Sequence, residues 1–480
     1  MQATEAGAIP PAHAHAASPA VSSDIAAALI NARLDRLPGT RSIWTMVLLL
    51  SLGGWFELYD LFFTAYVGPG LVRSGLFSST TASFFGMSGL ASFVAATFTG
   101  LFIGTMVFGF VADRFGRRSI FTFSLIWYTA ATVTMAFQTS ADTINLWRLI
   151  AGIGIGVELV TIDTYLAELV PKDMRGRAFA FNQAVQFSVV PVVAFLAWYL
   201  VPLSPMGFDG WRWVVLIGAF GAVCVWFIRL GLPESPRWLA QRGRFAEAEQ
   251  IVSRLEAKVA AEYGKVLPPQ PMPHREEASV GLGEIFTPQY RGRTIMLMVF
   301  NFFQTIGFYG FANWVPTLLI AKGITVTTSL EYAFIIAIAN PVGPLLGMAI
   351  ADRVELKWII AGSAVGIAVF GVLFSQQQSM AMLILFGVLI TLANNCMSFS
   401  FHGYQSELFP TRVRARAVGF VYSWSRLSAI FTSFMIAFFL RDFGVTGVFT
   451  FIALSMAVVV IAIGGFGPRT RGLQLEAISR

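Results

Sequence analysis

Twelve stretches of mainly apolar residues, most separated by short polar loops, constrain this chain more than any other feature. They run near 43–68, 92–112, 119–137, 143–168, 178–201 and 211–232, and after a polar gap near 294–316, 330–351, 358–375, 380–402, 417–440 and 445–466. A helix needs roughly 20 apolar residues to cross the hydrocarbon core of a bilayer. Inside that core every backbone polar group must be satisfied within the protein. The pattern therefore predicts an all-α membrane protein with twelve transmembrane helices. Composition agrees: 56% of the 480 residues are hydrophobic and only 12% are charged, against about 25% in a typical soluble domain.

The net charge of +7 does not point to nucleic acid, because the cations sit in short loops on alternate sides of the apolar segments. One side carries Arg114, Arg117 and Arg118, then Lys172, Arg175 and Arg177, then Arg353 and Lys357, Arg412, Arg414 and Arg416, and Arg469 and Arg471. The other offers little beyond Arg73, Lys322 and Arg441. The positive-inside rule puts the first side, both termini and the long hydrophilic loop in the cytoplasm. Cys224 and Cys396 both lie in apolar runs, which excludes a disulfide framework or a cysteine metal site. No metal site is expected.

Five regions are expected. Residues 1–40 read as a disordered cytoplasmic tail, whose Ala-, Pro- and Ser-rich start lacks a secretory pattern. Residues 41–236 form an N-terminal six-helix bundle, 237–292 a cytoplasmic linker with short helices, 293–467 a C-terminal six-helix bundle, and 468–480 a cytoplasmic tail. An internal repeat supports the two bundles. "ADRFGRR" at 112–118 returns as "ADRVELK" at 351–357, and "AELVPKDMRGRA" at 167–178 as "SELFPTRVRARA" at 406–417. Asp113 and Asp352, Glu168 and Glu407, Pro171 and Pro410, and Arg175 and Arg414 share one offset of 239 residues. The halves are thus pseudo-symmetric, as in many secondary carriers.

"GFVADRFGRR", from Gly109 to Arg118, resembles the major facilitator superfamily signature Gly-x-x-x-Asp-Arg-x-Gly-Arg-Arg; in the second half Glu355 and Leu356 replace Gly and Arg. "RLIAGIGIG" at 148–156, "ELVPKDMRGR", "PESPRWL" at 233–239, "SELFPTRVR" and "GPRTRGLQLE" resemble the sugar porter-like branch over about residues 40–476. "GWFELYD" and "GVELVTIDTYLAE" look closer to bacterial nicotinate, aromatic-acid and organic-ion carriers. The resemblance implies the major facilitator fold and a conformational gate of breakable contacts at Gly109, Asp113, Arg114, Arg117, Arg118, Glu168 and Arg175, with Asp352, Arg353, Glu407 and Arg414 as second-half counterparts.

Ionisable residues inside the apolar segments carry the functional signal, since each costs roughly 2.5–3.5 kcal/mol at the bilayer centre. The resemblance pairs Asp60 of the first span with Arg148 of the fourth as a proton switch, or else as a static ion pair. Glu57 lies one helical turn before Asp60 and shares its face. Glu158 resembles the Glu of a "GGELPV" element in nicotinate-type carriers. Asp163 stands where sugar porters often place Pro. The proton-coupling candidates are Asp60, Arg148, Glu57 and Glu158, with satisfied structural acids as the other reading.

Substrate candidates are Gln183, Gln304 and Asn340, which match polar positions of sugar porters, and Tyr309, Asn313, Trp314, His402 and Arg426, which depart from them. In "FQTIGFYGFANWVP" Phe303 replaces a Gln, Tyr309 an Asn, and Asn313-Trp314 a Tyr-Tyr pair; His402 stands where the tenth span usually has Trp. An Arg buried at position 426 wants an anion, from the substrate or from a resident acid such as Asp163 or Glu158. "GIGIG" at 152–156 superficially looks like a phosphate cradle, but no strand precedes it; it reads as small-residue helix packing.

The favoured function is a secondary active transporter, a proton-coupled symporter of a small organic carboxylate, aromatic or not, working by alternating access. A sugar or polyol/proton symporter and a drug/proton antiporter are the alternatives. No enzymatic constellation is visible. No cofactor is expected beyond the proton as coupling ion. The expected partners are a small-molecule solute, protons and membrane lipid, for a monomer in the bacterial inner membrane.

Overall fold

In the computed structural model of the chain the described residues are 19–78, 82–83, 87–108, 114–229, 231–271, 282–351, 353–409 and 411–470. Among them, nine helices are long and apolar enough to cross a membrane, and two shorter apolar helices, Leu90–Met106 and Gly210–Val223, add the second and sixth spans. The count reaches twelve because one helix, Thr411–Val459, holds two spans. Gly444 breaks it at φ 64° and ψ −165°, a backbone conformation open to glycine without a Cβ penalty. A two-residue antiparallel strand pair, Ala82–Ser83 with Met87–Ser88, lies between the first and second spans. The protein is all-α in its membrane part, with two six-helix bundles.

The first span (Arg41–Arg73) packs on the sixth (Gly210–Arg229), the second (Leu90–Phe108) on the fourth (Ala141–Leu169), and the third (Arg117–Ala136) on both the fourth and sixth. In the second bundle the seventh span (Arg291–Ala312) packs on the Thr411–Val459 helix, and the ninth (Leu356–Gln376) on the tenth (Met380–Glu407). The bundles touch where the second span meets the Thr411–Val459 helix and where the fifth span meets the eighth. The latter two spans are each divided, the fifth into Arg175–Phe187 and Val189–Leu200 and the eighth into Val326–Ala337 and Val342–Ala351, and both pairs of halves are in contact. Trp198 and Phe334 stack across this seam at 5.9 Å.

Glycines set the closest approach. Gly100 and Gly104 of the second span face Gly152 and Gly156 of the fourth. A Cβ on Gly104 would lie 2.2 Å from the Ile153 carbonyl, and one on Gly156 2.4 Å from that of Leu101. Two Gly-x-x-x-Gly faces therefore meet backbone to backbone, the arrangement small residues permit in lipid. The expectation for "GIGIG" holds. Gly156→Leu is expected to cost about 3 kcal/mol or more, the upper range for overpacking, because backbone rather than a movable side chain opposes it. Thermal unfolding of the detergent-solubilised protein checks this, and an unchanged midpoint would refute it.

The tail expectation needs correction: residues Pro19–Asp35 form a helix. The segment is Ala-rich, hence a good helix former, and it buries Ile30 and Leu34, with Leu37 just past its end, in a cluster with Leu166, Trp238 and Val252. Its partners include the short helix Pro236–Gln241 and the linker helix Phe245–Tyr263. Arg33 donates to Glu256 at 2.6 Å and also pairs with Glu249, and Arg36 donates to Glu256 at 2.6 Å. Burial pushes the Glu256 carboxyl up, but the hydrogen bonds from Arg33 and Arg36 outweigh it and hold the group below the usual carboxylate range. A folded pKa below the unfolded one means stability present above about pH 4.3 and lost as pH falls through the folded value. Residues 19–35 should lose amide protection, taken relative to the intrinsic exchange rate at each pH, in that acid range. At pH 7 Glu256→Gln should likewise lower protection there, and unchanged protection in that variant would refute the docking role.

Candidate functional site

The first, second, third and fourth spans converge on Arg148, which is fully buried. Its Nη1 donates to the Asp60 carboxylate, its Nη2 to the Asp60 carbonyl and to Thr64 Oγ1, both at 2.7 Å, and its Nε to Thr97 Oγ1 at 2.8 Å. Thr132 of the third span donates to the second Asp60 oxygen at 2.7 Å. The guanidinium also lies over the Phe63 ring, 4.5 Å from its centroid. Each member is there for a physical reason: a buried ion pair is tolerated when hydrogen bonds satisfy its remaining lone pairs and protons. The sequence expectation that Asp60 and Arg148 meet is realised, and both point into the bundle.

Glu57 and Glu158 go elsewhere. Glu158 is fully buried between the third and fourth spans, where Ser124 Oγ donates to it at 3.3 Å. Glu57 is buried on the first span and acts electrostatically on Arg426 across the bundle interface. Asp163 has an exposed surface yet is crowded by protein atoms, as a side chain on the wall of a narrow crevice is; it too lies within electrostatic range of Arg426.

Arg426 is the centre of the second constellation. It is buried in the eleventh span, lies 4.9 Å from the Tyr422 ring centroid, and donates to the Tyr309 hydroxyl at 3.3 Å and the Tyr422 hydroxyl at 3.4 Å. These are long bonds to neutral groups. Its Nε has no hydrogen-bond partner among the described residues, nor does any described carboxylate pair with it at ion-pair distance. Tyr309 packs on Phe98 of the other bundle at 4.6 Å. His402 is half-buried; its ring stacks on Phe401 at 4.2 Å and stands 5.3 Å from that of Tyr422. Its Nδ1 lies 2.7 Å from the Ser398 carbonyl. A carbonyl can only accept, so Nδ1 carries the proton and Nε2 is the free ring nitrogen of the neutral form.

A cavity between the bundles has only about 20 Å³ open to the centre of a water molecule, room for a group the size of a hydroxyl or water. Phe62 and Tyr66 line it from the first bundle, and Asn340, Thr391, Asn394 and Asn395 supply its polar wall. Asn340 stands in the break of the eighth span, just before Pro341, where irregular backbone at membrane depth faces a cavity. Of the other expected substrate residues, Gln183 is half-buried, Gln304 is buried and donates to Thr305 Oγ1 at 3.0 Å, and Trp314 is part of the apolar core. Asn313 is buried with its Oδ1 lacking a hydrogen-bond partner among the described residues. Asn394 and Asn395 were not anticipated, because nothing in the apolar run "LITLANNCMSF" distinguishes them.

On the basic face, Arg117 donates to Glu168 at 2.9 Å. Glu234 of "PESPRWL" accepts from the backbone N–H groups of Arg117 and Arg118 at 3.0 and 3.1 Å, placing an anion at a helix N-terminus. Arg237 ties Glu168's carbonyl, at 2.9 Å, to Asp35 of the N-terminal helix, at 2.7 Å. Arg175 lies 3.5 Å from that same carboxylate. Glu234 and Asp35 thus join a network in which only Arg117, Arg118, Glu168 and Arg175 were expected. Arg114 and Arg353 are exposed and Glu407 is half-buried. Gly109, Asp113 and Asp352 lie outside the described residues, as does the side chain of Arg414.

Residues 46–480 match the family model described as sugar (and other) transporter. The chain is 32% identical over 447 residues to the putative metabolite transport protein YyaJ of Bacillus subtilis, covering 92% of this chain and 96% of the relative. It is 25% identical over 450 residues to the niacin transporter NiaP of Acinetobacter baylyi, covering 93% and 98%. Among solved structures, the xylose transporter XylE from E. coli, in a partially occluded inward-open conformation, matches with a TM-score of 0.71 at 21% identity. That match covers 90% of this chain and 99% of the other, a likeness of fold.

Proposed function

From the premise that this chain belongs to the sugar (and other) transporter family of the major facilitator superfamily, and so is a multi-pass membrane transporter of a small solute, we propose that it imports an organic carboxylate by proton-coupled symport. The observation that carries this reading is Arg426: a buried guanidinium at the bundle interface whose hydrogen bonds among the described residues are two long ones to tyrosine hydroxyls, with its Nε unsatisfied there. A buried cation without a close anion is costly, and a substrate carboxylate would supply the planar, bidentate partner that Arg accepts best. The Tyr422, Tyr309, Phe98 and His402 rings beside it suit an aromatic body. The niacin transporter named among the relatives fits the same class.

Coupling is assigned to Asp60. Ionised, its carboxylate clamps Arg148; protonated, it releases one guanidinium bond and loosens the first span from the second and fourth. The basic face, with both termini, is assigned to the cytoplasm by its loop charges. Residues 41–236 and 293–467 then rock as two bodies about the cavity, with the Arg117–Glu168–Glu234 network making and breaking on the cytoplasmic side. The coupling ion in this scheme is the proton.

A thermal-shift panel on the purified transporter tests the substrate class. Aromatic carboxylates or short hydroxy acids should raise the midpoint, by the equivalent of about 2.7 kcal/mol at a hundredfold excess over Kd. Stabilisation by hexoses or polyols with none by any acid would replace this reading with a sugar or polyol symporter.

A further inference from the structure

The cavity's polar wall is incompletely satisfied in a way that has a chemical sign. Asn395 Nδ2 donates to Asn340 Oδ1 at 3.1 Å and to the Thr391 carbonyl at 3.0 Å. Asn340 Nδ2 in turn donates to the Ala337 carbonyl at 3.0 Å. These bonds fix both amide orientations: flipping Asn395 would set its oxygen against a carbonyl that can only accept. Its Oδ1 is therefore an acceptor by construction. It is buried and has no donor among the described residues; the Oδ1 of neighbouring Asn394, an amide whose orientation no bond fixes, also lacks one. Both side chains line the cavity, and the space there accommodates a group of hydroxyl size. A buried amide oxygen without a donor is destabilising until one arrives. The missing complement is a donor, not an acceptor.

We propose that Asn395 and Asn394, held by Asn340, form a subsite for a hydrogen-bond donor on the transported solute, so that the preferred substrate is an organic acid bearing a hydroxyl or N–H group as well as its carboxylate. This rests on the carboxylate reading above. It refines that reading, because an acid whose only other polar atom is an acceptor, such as nicotinate with its ring nitrogen, leaves these oxygens unsatisfied. A site built to meet a donor discriminates against the analogue that lacks it far more strongly than an apolar pocket does.

The test is competitive uptake into proteoliposomes holding the full-length protein, comparing 4-hydroxybenzoate and 3-hydroxybenzoate with benzoate and nicotinate, and with neutral inositol as a separate arm. At least one hydroxylated acid should be preferred over benzoate and nicotinate by roughly tenfold or more. Asn395→Leu should bring that ratio towards one, and Asn394→Leu should shrink it. Equal handling of all four acids by the wild-type protein would overturn the subsite and leave the carboxylate reading standing; a trapped water would then account for the orphaned oxygens. A wild-type preference that survives in both variants would likewise overturn it. Inositol competing where no acid does would overturn the carboxylate reading while supporting the donor subsite.

Discussion

Asp60→Asn is expected to abolish concentrative uptake and to spare substrate exchange. The asparagine fills the same space, and its one oxygen can still accept from Arg148 while its amide N–H meets the Thr132 hydroxyl as a donor, but it neither takes a proton nor carries a charge. One proton carried with a carboxylate moves no net charge, so the pH gradient drives uptake, with about 1.4 kcal/mol or tenfold accumulation per pH unit. In the variant the internal concentration should rise only to that outside. Counterflow, which needs the loaded carrier to reorient but needs no net proton movement, should continue. The variant should also unfold more easily, because Arg148 has no exposed surface and removing one partner of a buried pair costs about 3–5 kcal/mol. Undiminished accumulation driven by a pH gradient in a variant of normal expression would end the assignment of Asp60 as the coupling group.

Arg426→Gln should produce the second large effect, a loss of about 30- to 1000-fold in apparent affinity for the transported acid. That corresponds to the 2–4 kcal/mol expected when one member of a desolvated, hydrogen-bonded charge pair is truncated. Arg426→Lys should recover only part of it. A lysine keeps the charge but loses the planar fork and the stacking on Tyr422. Stability should move the other way or hardly at all, since the empty protein no longer buries a cation whose Nε lacks a partner among the described residues. Ligand-induced thermal shifts and uptake kinetics read the two consequences separately. A glutamine variant that transports as well as wild type would mean that Arg426 never meets substrate, and the carboxylate reading would fall with it.

Architecture was legible in the sequence because its determinants are collinear. A run of apolar residues long enough to span a bilayer is visible without any tertiary information, and so are the alternation of Arg and Lys between loops and the single offset relating Glu168 to Glu407. Asp60 and Arg148 could be paired because a charged residue in an apolar segment needs a partner and the family resemblance names one. Other features depend on three-dimensional context. Nothing in "PAVSSDIAAALINARLD" reveals that Ile30, Leu34 and Arg33 face a linker helix more than 200 residues away. Asn395 reads as one more polar residue in a helix until its two donated bonds show which of its atoms is left over. Glu158 joins the coupling candidates through its likeness to the Glu of a "GGELPV" element, and no such likeness shows that Ser124 of the third span would donate to it, ten residues and nearly three turns beyond Arg148 on a different side of the helix.

The glycine seam between the second and fourth spans bears on which part of the first bundle can yield. Thr97 and Arg148 belong to those two helices and bond each other across it. With carbonyl carbons and α-carbons in direct apposition at Gly100, Gly104, Gly152 and Gly156, the pair behaves as a single stiff beam. Neutralising Asp60 cannot then be expressed as slippage within that beam. The displacement must appear as rotation of the first helix relative to it, so distance probes spanning helices one and four should report the protonation step while probes spanning two and four stay silent.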